Sequence, residues 1–194
     1  MMQKYNKERA IFFNTFQMYR KDMLTNLKHA FHEATMHNYF LGVKMVRGAY
    51  MERERERAED MGYPDPICET KEATDESFNK GLAFCIDQKQ RVTLMCGSNN
   101  EYSNKYLTVM MQRHGLQPHD KRVWFAQLLG MSDNISFNLA KAGYNVAKYV
   151  PFGPVTSVMP YLFRRAEENT SVAGQSSREL TLIRKELQRR KNHG

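Results

Sequence analysis

The chain has 194 residues, 41% apolar and 26% charged, which by length describes one soluble domain with a real core. No apolar run approaches the roughly 18 residues that span a bilayer, and the three cysteines (Cys68, Cys85, Cys96) form no C-x-x-C pair, which argues against a disulfide framework or a zinc knuckle. The formal net charge of +8 raises the possibility of a basic nucleic-acid-binding protein, but the excess gathers between Arg184 and Lys191 and Glu52 to Arg57 alternates in sign, so no basic face with interleaved aromatics is defined and no nucleic-acid partner is expected.

In chain order, the opening MMQKYNKERAIFF carries neither a secretory signal nor an acid-poor, Ser-rich leader, so a cytoplasmic protein is expected. Ala10 to Phe16 is a short apolar run rich in β-formers and predicts a strand; helical periodicity follows from Tyr19 to His37. His29, His32 and Glu33 fall on one face of that helix at a spacing a metal permits, although a solvated face is far commoner. Phe40 to Val46 predicts a second strand, stopped at Arg47-Gly48, and the charged stretch Met51 to Met61 a helix. After the turn around Pro64 and Pro66 come a helix from Glu72 to Gln88, a strand from Val92 to Cys96, and a helix running to His114 and stopped by Gly115. Val123 to Gln127 and Val146 to Val150 predict two more strands, with a helix from Ser132 to Ala142 between them. Two helices, Pro154 to Glu168 and Ser177 to Lys191, close the chain.

Five strands, each followed by a helix, imply an α/β fold with a parallel sheet. Pattern alone leaves two architectures open, a doubly wound sheet or part of a (β/α)₈ barrel. Asn14-Thr15-Phe16-Gln17 carries none of the glycines of a phosphate loop, which disfavours a doubly wound nucleotide binder. Polar side chains stand at or just past every strand end: Gln17, Lys44 with Arg47, Ser98 with Asn99, Gln127, and Tyr149. In a barrel those positions converge on one mouth. On the penultimate helix, Tyr161, Arg164, Arg165 and Glu168 share a face, and two adjacent guanidinium groups offer fixed forks for a carboxylate or a phosphate.

Three segments carry a resemblance: Lys44-Met45-Val46-Arg47-Gly48-Ala49-Tyr50, Lys148-Tyr149-Val150-Pro151-Phe152-Gly153-Pro154, and Tyr161 to Asn169 with its arginine pair. With Asn14-Thr15-Phe16-Gln17 and Gln127-Leu128-Leu129-Gly130-Met131, the chain resembles proline dehydrogenases from about residue 5 to its end. Asn138 to Tyr144 and Thr170-Ser171-Val172 are similar to the bacterial single-function members, which are cytoplasmic and meet the inner membrane only at its surface.

The resemblance implies a distorted (β/α)₈ barrel with FAD at the strand C-termini, the five strands here being strands four to eight and residues 1–194 one incomplete barrel domain. It implies that Gln17 bonds the flavin ring and that Lys44 supplies a cation near N5. Arg47, Gly48 and Ala49 would line the cofactor, with Ser98 and Asn99 at its ribityl or adenosine end. Tyr50, Leu128, Tyr149 and Tyr161 would pack around the proline ring, and Arg164 and Arg165 would clamp the carboxylate, with Glu168 orienting Arg164. The implied reaction oxidises L-proline to 1-pyrroline-5-carboxylate, with membrane quinone as electron acceptor and a separate aldehyde dehydrogenase taking the product. Tyr149 at the ring favours proline over hydroxyproline.

One motif departs from the family, which reads Thr/Ser-His-Asn where this chain has Ser98-Asn99-Asn100. The family's active-site lysine and aspartate from earlier strands have no place here, and five strands do not close a barrel, so the chain alone is expected to aggregate or to be inactive. A fold remnant that binds without turnover is the alternative.

Overall fold

The computed structural model describes residues 1–171 and 175–193, with the side chains of 166–179, 182 and 193 outside the description. The chain divides into two compact units, Met1–Val150 and Pro151–Gly194. The first holds α1 (Met2–Tyr5), β1 (Asn14–Gln17), α2 (Met23–Met36), β2 (Leu41–Val46), α3 (Met51–Met61), α4 (Lys71–Asp87), β3 (Val92–Gly97), α5 (Glu101–Arg113), β4 (Val123–Leu128), α6 (Asp133–Lys141) and β5 (Val146–Tyr149). The second holds α7 (Val155–Ser171) and α8 (Gln175–His193).

The strands form one parallel sheet in the order β1-β2-β3-β4-β5. A doubly wound sheet must reverse its strand order at a switch point; this sheet does not. Its order is strictly sequential, and one core joins it to the helices. Phe16, Val43, Met45, Leu94, Cys96, Val123 and Phe125 of the strands pack with Leu27, Phe78, Leu82, Ile86, Leu107, Met111, Ile135 and Leu139 of α2, α4, α5 and α6. Helices on one side of a sequential parallel sheet are the wall of a (β/α)₈ barrel. Burial alternates along β3 and β4, as it must when one face meets the helices and the other looks inward.

The first strand is shorter than its apolar run suggests. Asn6 is fully buried, and its amide donates to the carbonyls of Phe12 and Phe40 at 2.8 and 2.9 Å while its oxygen accepts from the N–H of Ile11 and Phe12. These bonds wrap residues 10–13 around Asn6 and take their backbone out of the ladder. The Phe12 carbonyl then lies over Gly42, where a Cβ would come within 2.2 Å of it. Likewise α2 begins four residues later than its periodicity, because the Tyr19 carbonyl, which would start the helical ladder, accepts the Cys68 N–H at 2.7 Å instead. In the second unit, Pro160 sits inside α7 and removes one helical hydrogen bond. Leu180, Ile183 and Leu187 form an exposed apolar stripe along α8.

Candidate active site at the strand ends

The pleat sorts the polar residues at the strand C-termini onto two faces. On the helix side, Arg47 donates from Nε to Asp75 Oδ1 at 2.6 Å, from Nη1 to Ser98 Oγ at 2.8 Å and from Nη2 to Ser103 Oγ at 2.9 Å. Its guanidinium lies over the buried Phe78 ring, 4.4 Å from the centroid. Lys71 Nζ donates to the other Asp75 oxygen at 2.6 Å. Burial alone would raise the Asp75 pKa, but the bonds from Lys71 and Arg47 outweigh it and hold the carboxyl below its ordinary range. Ser98 is a second hub: its carbonyl accepts from Asn104 Nδ2 at 3.0 Å and from Gln127 Nε2 at 3.2 Å, and its Oγ accepts the N–H of Asn100 at 3.1 Å. Asn100 in turn caps α5 by accepting the Ser103 N–H, and Ser136 Oγ donates to Gln127 Oε1 at 2.9 Å.

The other face carries a different set. Gln17 stands beside Val46 in register, and Leu128 beside Tyr149. Lys44 is half-buried on β2, and its ammonium lies 5.7 Å from the centroid of the Tyr149 ring on β5. That contact reaches across two intervening strands, which marks this face as the concave one. Lys148 fastens the loop after β4, donating to the Met131 carbonyl at 2.8 Å and to Asp133 at 2.7 Å. Within that loop the buried Ser132 takes a left-handed φ of 52°.

Gly48 and Ala49 form the half-buried turn after β2, and Tyr50 begins α3 with 38% exposure. Asn99 is half-buried beside Ser98. In the second unit Tyr161, Arg164 and Arg165 lie on α7, with the Arg165 guanidinium 5.4 Å from the Tyr161 ring centroid. The Glu168 side chain lies outside the described residues. The structure thus joins Arg47 to Ser98 and Lys44 to Tyr149, and separates these pairs onto opposite faces. The residue types at the strand ends did not point to Asp75 or Ser103. The signals for them were modest: an i, i+4 Lys71–Asp75 spacing, and a serine three residues after a capping asparagine.

The family model described as proline dehydrogenase matches residues 1–178. The chain belongs to the proline dehydrogenase family. It is 41% identical over 204 residues to proline dehydrogenase 1, mitochondrial, of Drosophila melanogaster, which aligns with 100% of this chain and 30% of its own length. It is also 41% identical to the hydroxyproline dehydrogenase of Xenopus laevis, over 98% of this chain and 42% of that protein. Among solved structures, proline utilization A from Bdellovibrio bacteriovorus superposes on 84% of the chain and 17% of its own with a TM-score of 0.78; at 24% identity that likeness speaks for the fold. The chain spans about a third of the length of the first curated relatives it matches. The relatives from Drosophila melanogaster and Homo sapiens are both named mitochondrial, so the likeness to bacterial single-function members and the cytoplasmic expectation gain no support from them.

Proposed function

We propose that this chain contributes the strand-end half of an FAD-dependent site that oxidises L-proline to 1-pyrroline-5-carboxylate. The observation that carries the reading is the cation beside an aromatic ring on the concave face, Lys44 against Tyr149. A flavin ring is flat and apolar, with hydrogen-bonding groups along one edge. The concave face offers the matching parts: Gln17 and Lys44 as donors, and Leu128 and Tyr149 as a wall. Proline needs its carboxylate held and its ring pressed flat. Arg164 and Arg165 have the fork chemistry for the carboxylate, Glu168 is one turn from Arg164 to orient it, and Tyr50 and Tyr161 add aromatic surface.

When bound, FAD would supply the hydride acceptor. Lys44 would supply a cation to the cofactor's reacting edge, and Leu128 and Tyr149 would exclude water from the substrate ring. Arg47 and Ser98, with Gly48, Ala49 and Asn99 beside them, serve the cofactor through the backbone that their helix-side network makes rigid.

The five strands are read as strands four to eight of the barrel, and residues 1–194 as part of one barrel domain. Quinone at a membrane surface is the proposed acceptor, and a separate aldehyde dehydrogenase the consumer of the product. No helix among the described residues is long and apolar enough to cross a membrane. The Leu180, Ile183 and Leu187 stripe, flanked by Arg184, Arg190 and Lys191, suits a peripheral contact with anionic lipid.

The test is a titration of the purified chain with FAD, followed by anaerobic addition of L-proline. Saturable flavin binding and bleaching of the visible band support the reading. Saturable binding without bleaching supports the non-catalytic remnant, and absence of flavin binding removes the proposal.

A further inference from the structure

Behind the turn after β2 stands a cluster that neither the motifs nor the proposed reaction uses. Tyr19, in the loop after β1, is 1% exposed, and its ring lies against the Gly48 backbone, where a Cβ would come within 1.5 Å of two ring carbons. Gly48 holds φ at 128°, a conformation open to glycine. The backbone binds the same segments together: the Met18 and Tyr19 N–H groups donate to the carbonyls of Val46 and Arg47 at 2.9 and 2.8 Å, and Cys68 N–H donates to the Tyr19 carbonyl at 2.7 Å.

Glu54 closes this cluster. One of its oxygens accepts the Tyr19 hydroxyl at 3.3 Å, and the other accepts Arg20 Nη1 at 2.7 Å. Burial, with the Glu54 carboxylate alongside, raises the Tyr19 pKa and keeps the phenol a donor. Arg20 is held in turn by both oxygens of Asp22, at 3.0 and 3.1 Å. Glu54 also belongs to the first turn of α3, and its N–H donates to the Tyr50 carbonyl at 3.0 Å. Its side chain therefore grips the loop after β1, while its backbone ends the Gly48–Tyr50 turn.

We propose that Glu54 is a positioning residue, fixing Gly48, Ala49 and Tyr50 against the Tyr19 ring. The inference rests on the reading that this turn lines the flavin and proline site. An anchor of a different kind stands one residue further along α3, where Arg55 meets Asp65 at 3.3 Å on the surface. It serves as the control.

The experiment measures amide hydrogen exchange, FAD affinity and the visible flavin spectrum on the whole chain, for Glu54→Ala, Glu54→Gln, Tyr19→Phe and Asp65→Asn. Glu54→Ala is expected to speed exchange at residues 48–51 about tenfold, with α5 unchanged. It should also weaken FAD binding about tenfold and shift the flavin band. Glu54→Gln keeps an acceptor for the Tyr19 hydroxyl and should recover much of both losses, Tyr19→Phe should fall between the two, and Asp65→Asn should behave as wild type. Unchanged exchange at 48–51 in Glu54→Ala overturns the proposal whatever the flavin does. Faster exchange spread over the whole first unit overturns it too, because the cluster is then scaffold alone. Local loosening with unaltered flavin affinity and spectrum upholds the positioning of the turn and overturns its assignment to the flavin site.

Discussion

At the C-terminal ends of the strands, the two faces of one sheet use polar residues in opposite ways. On the helix side, Arg47, Asp75, Ser98, Ser103, Gln127 and Ser136 satisfy one another at 2.6–3.2 Å, so that charge and amide are consumed by the chain itself. On the concave side, Lys44 meets an aromatic ring at 5.7 Å, and Tyr149 is 51% exposed at the end of β5. A closed network resists change in its own members and contributes to stability. A ring and a cation left at a mouth contribute little to the fold and suit recognition. Substitutions should therefore separate the faces, with large losses of stability on one and losses of function on the other.

The largest effect is expected at Gly48, the junction of the two faces. Gly48→Ala forces a side chain into φ 128° and drives its Cβ into the Tyr19 ring, and strain plus overpacking should destabilise the first unit by about 4 kcal/mol in urea unfolding. A loss below about 1 kcal/mol would mean that the turn yields easily, and the contrast between the faces would weaken.

Next comes Asp75→Ala, which strips Arg47 and Lys71 of their carboxylate and should remove about 2–3 kcal/mol. Its pH dependence has a definite sign. The folded-state pKa of Asp75 is lowered, so the unfolded chain binds its proton more readily, and stability rises with pH across that window. The contribution is complete above the ordinary carboxylate range and is lost as pH falls through the depressed value. Wild type and Asp75→Ala should accordingly converge in acid; a gap that persists there assigns the loss to packing instead of the ion pairs.

The alternation of strand and helix was legible because apolar periodicity switches cleanly between two residues and three to four along this chain. Periodicity alone left barrel and doubly wound sheet open, since strand order and the side on which helices settle are long-range properties; the missing phosphate loop and the family resemblance decided for the barrel. The start of β1 was misjudged for a local reason: Ala10 to Phe13 has strand composition, but a single buried asparagine, Asn6, takes up the backbone. Lys44 and Arg47 were both legible as polar strand-end residues. Their three-residue separation already hinted at opposite faces, yet the partners that immobilise Arg47 come from α4 and α5, at sequence separations of 28 and 56 residues. The motifs around Gly48, Tyr149 and Arg164 marked the family and left unassigned the residues that hold those motifs in place, Glu54, Asp75 and Lys148 among them.

The smallest effect on stability is expected at Tyr149, and with it the sharpest effect on recognition. Among its neighbours are Leu128 in register and the Lys44 ammonium, and half of its surface is accessible. Tyr149→Ser should therefore move the unfolding free energy by less than about 1 kcal/mol. If the concave face holds a proline ring as proposed, the phenol there is bulky enough to crowd a 4-hydroxyl. Serine at this position should narrow the ratio of kcat/KM for proline over 4-hydroxyproline by about tenfold. Equal discrimination in both proteins would take Tyr149 off the substrate, and a large loss of stability would move it from the recognition face to the structural one.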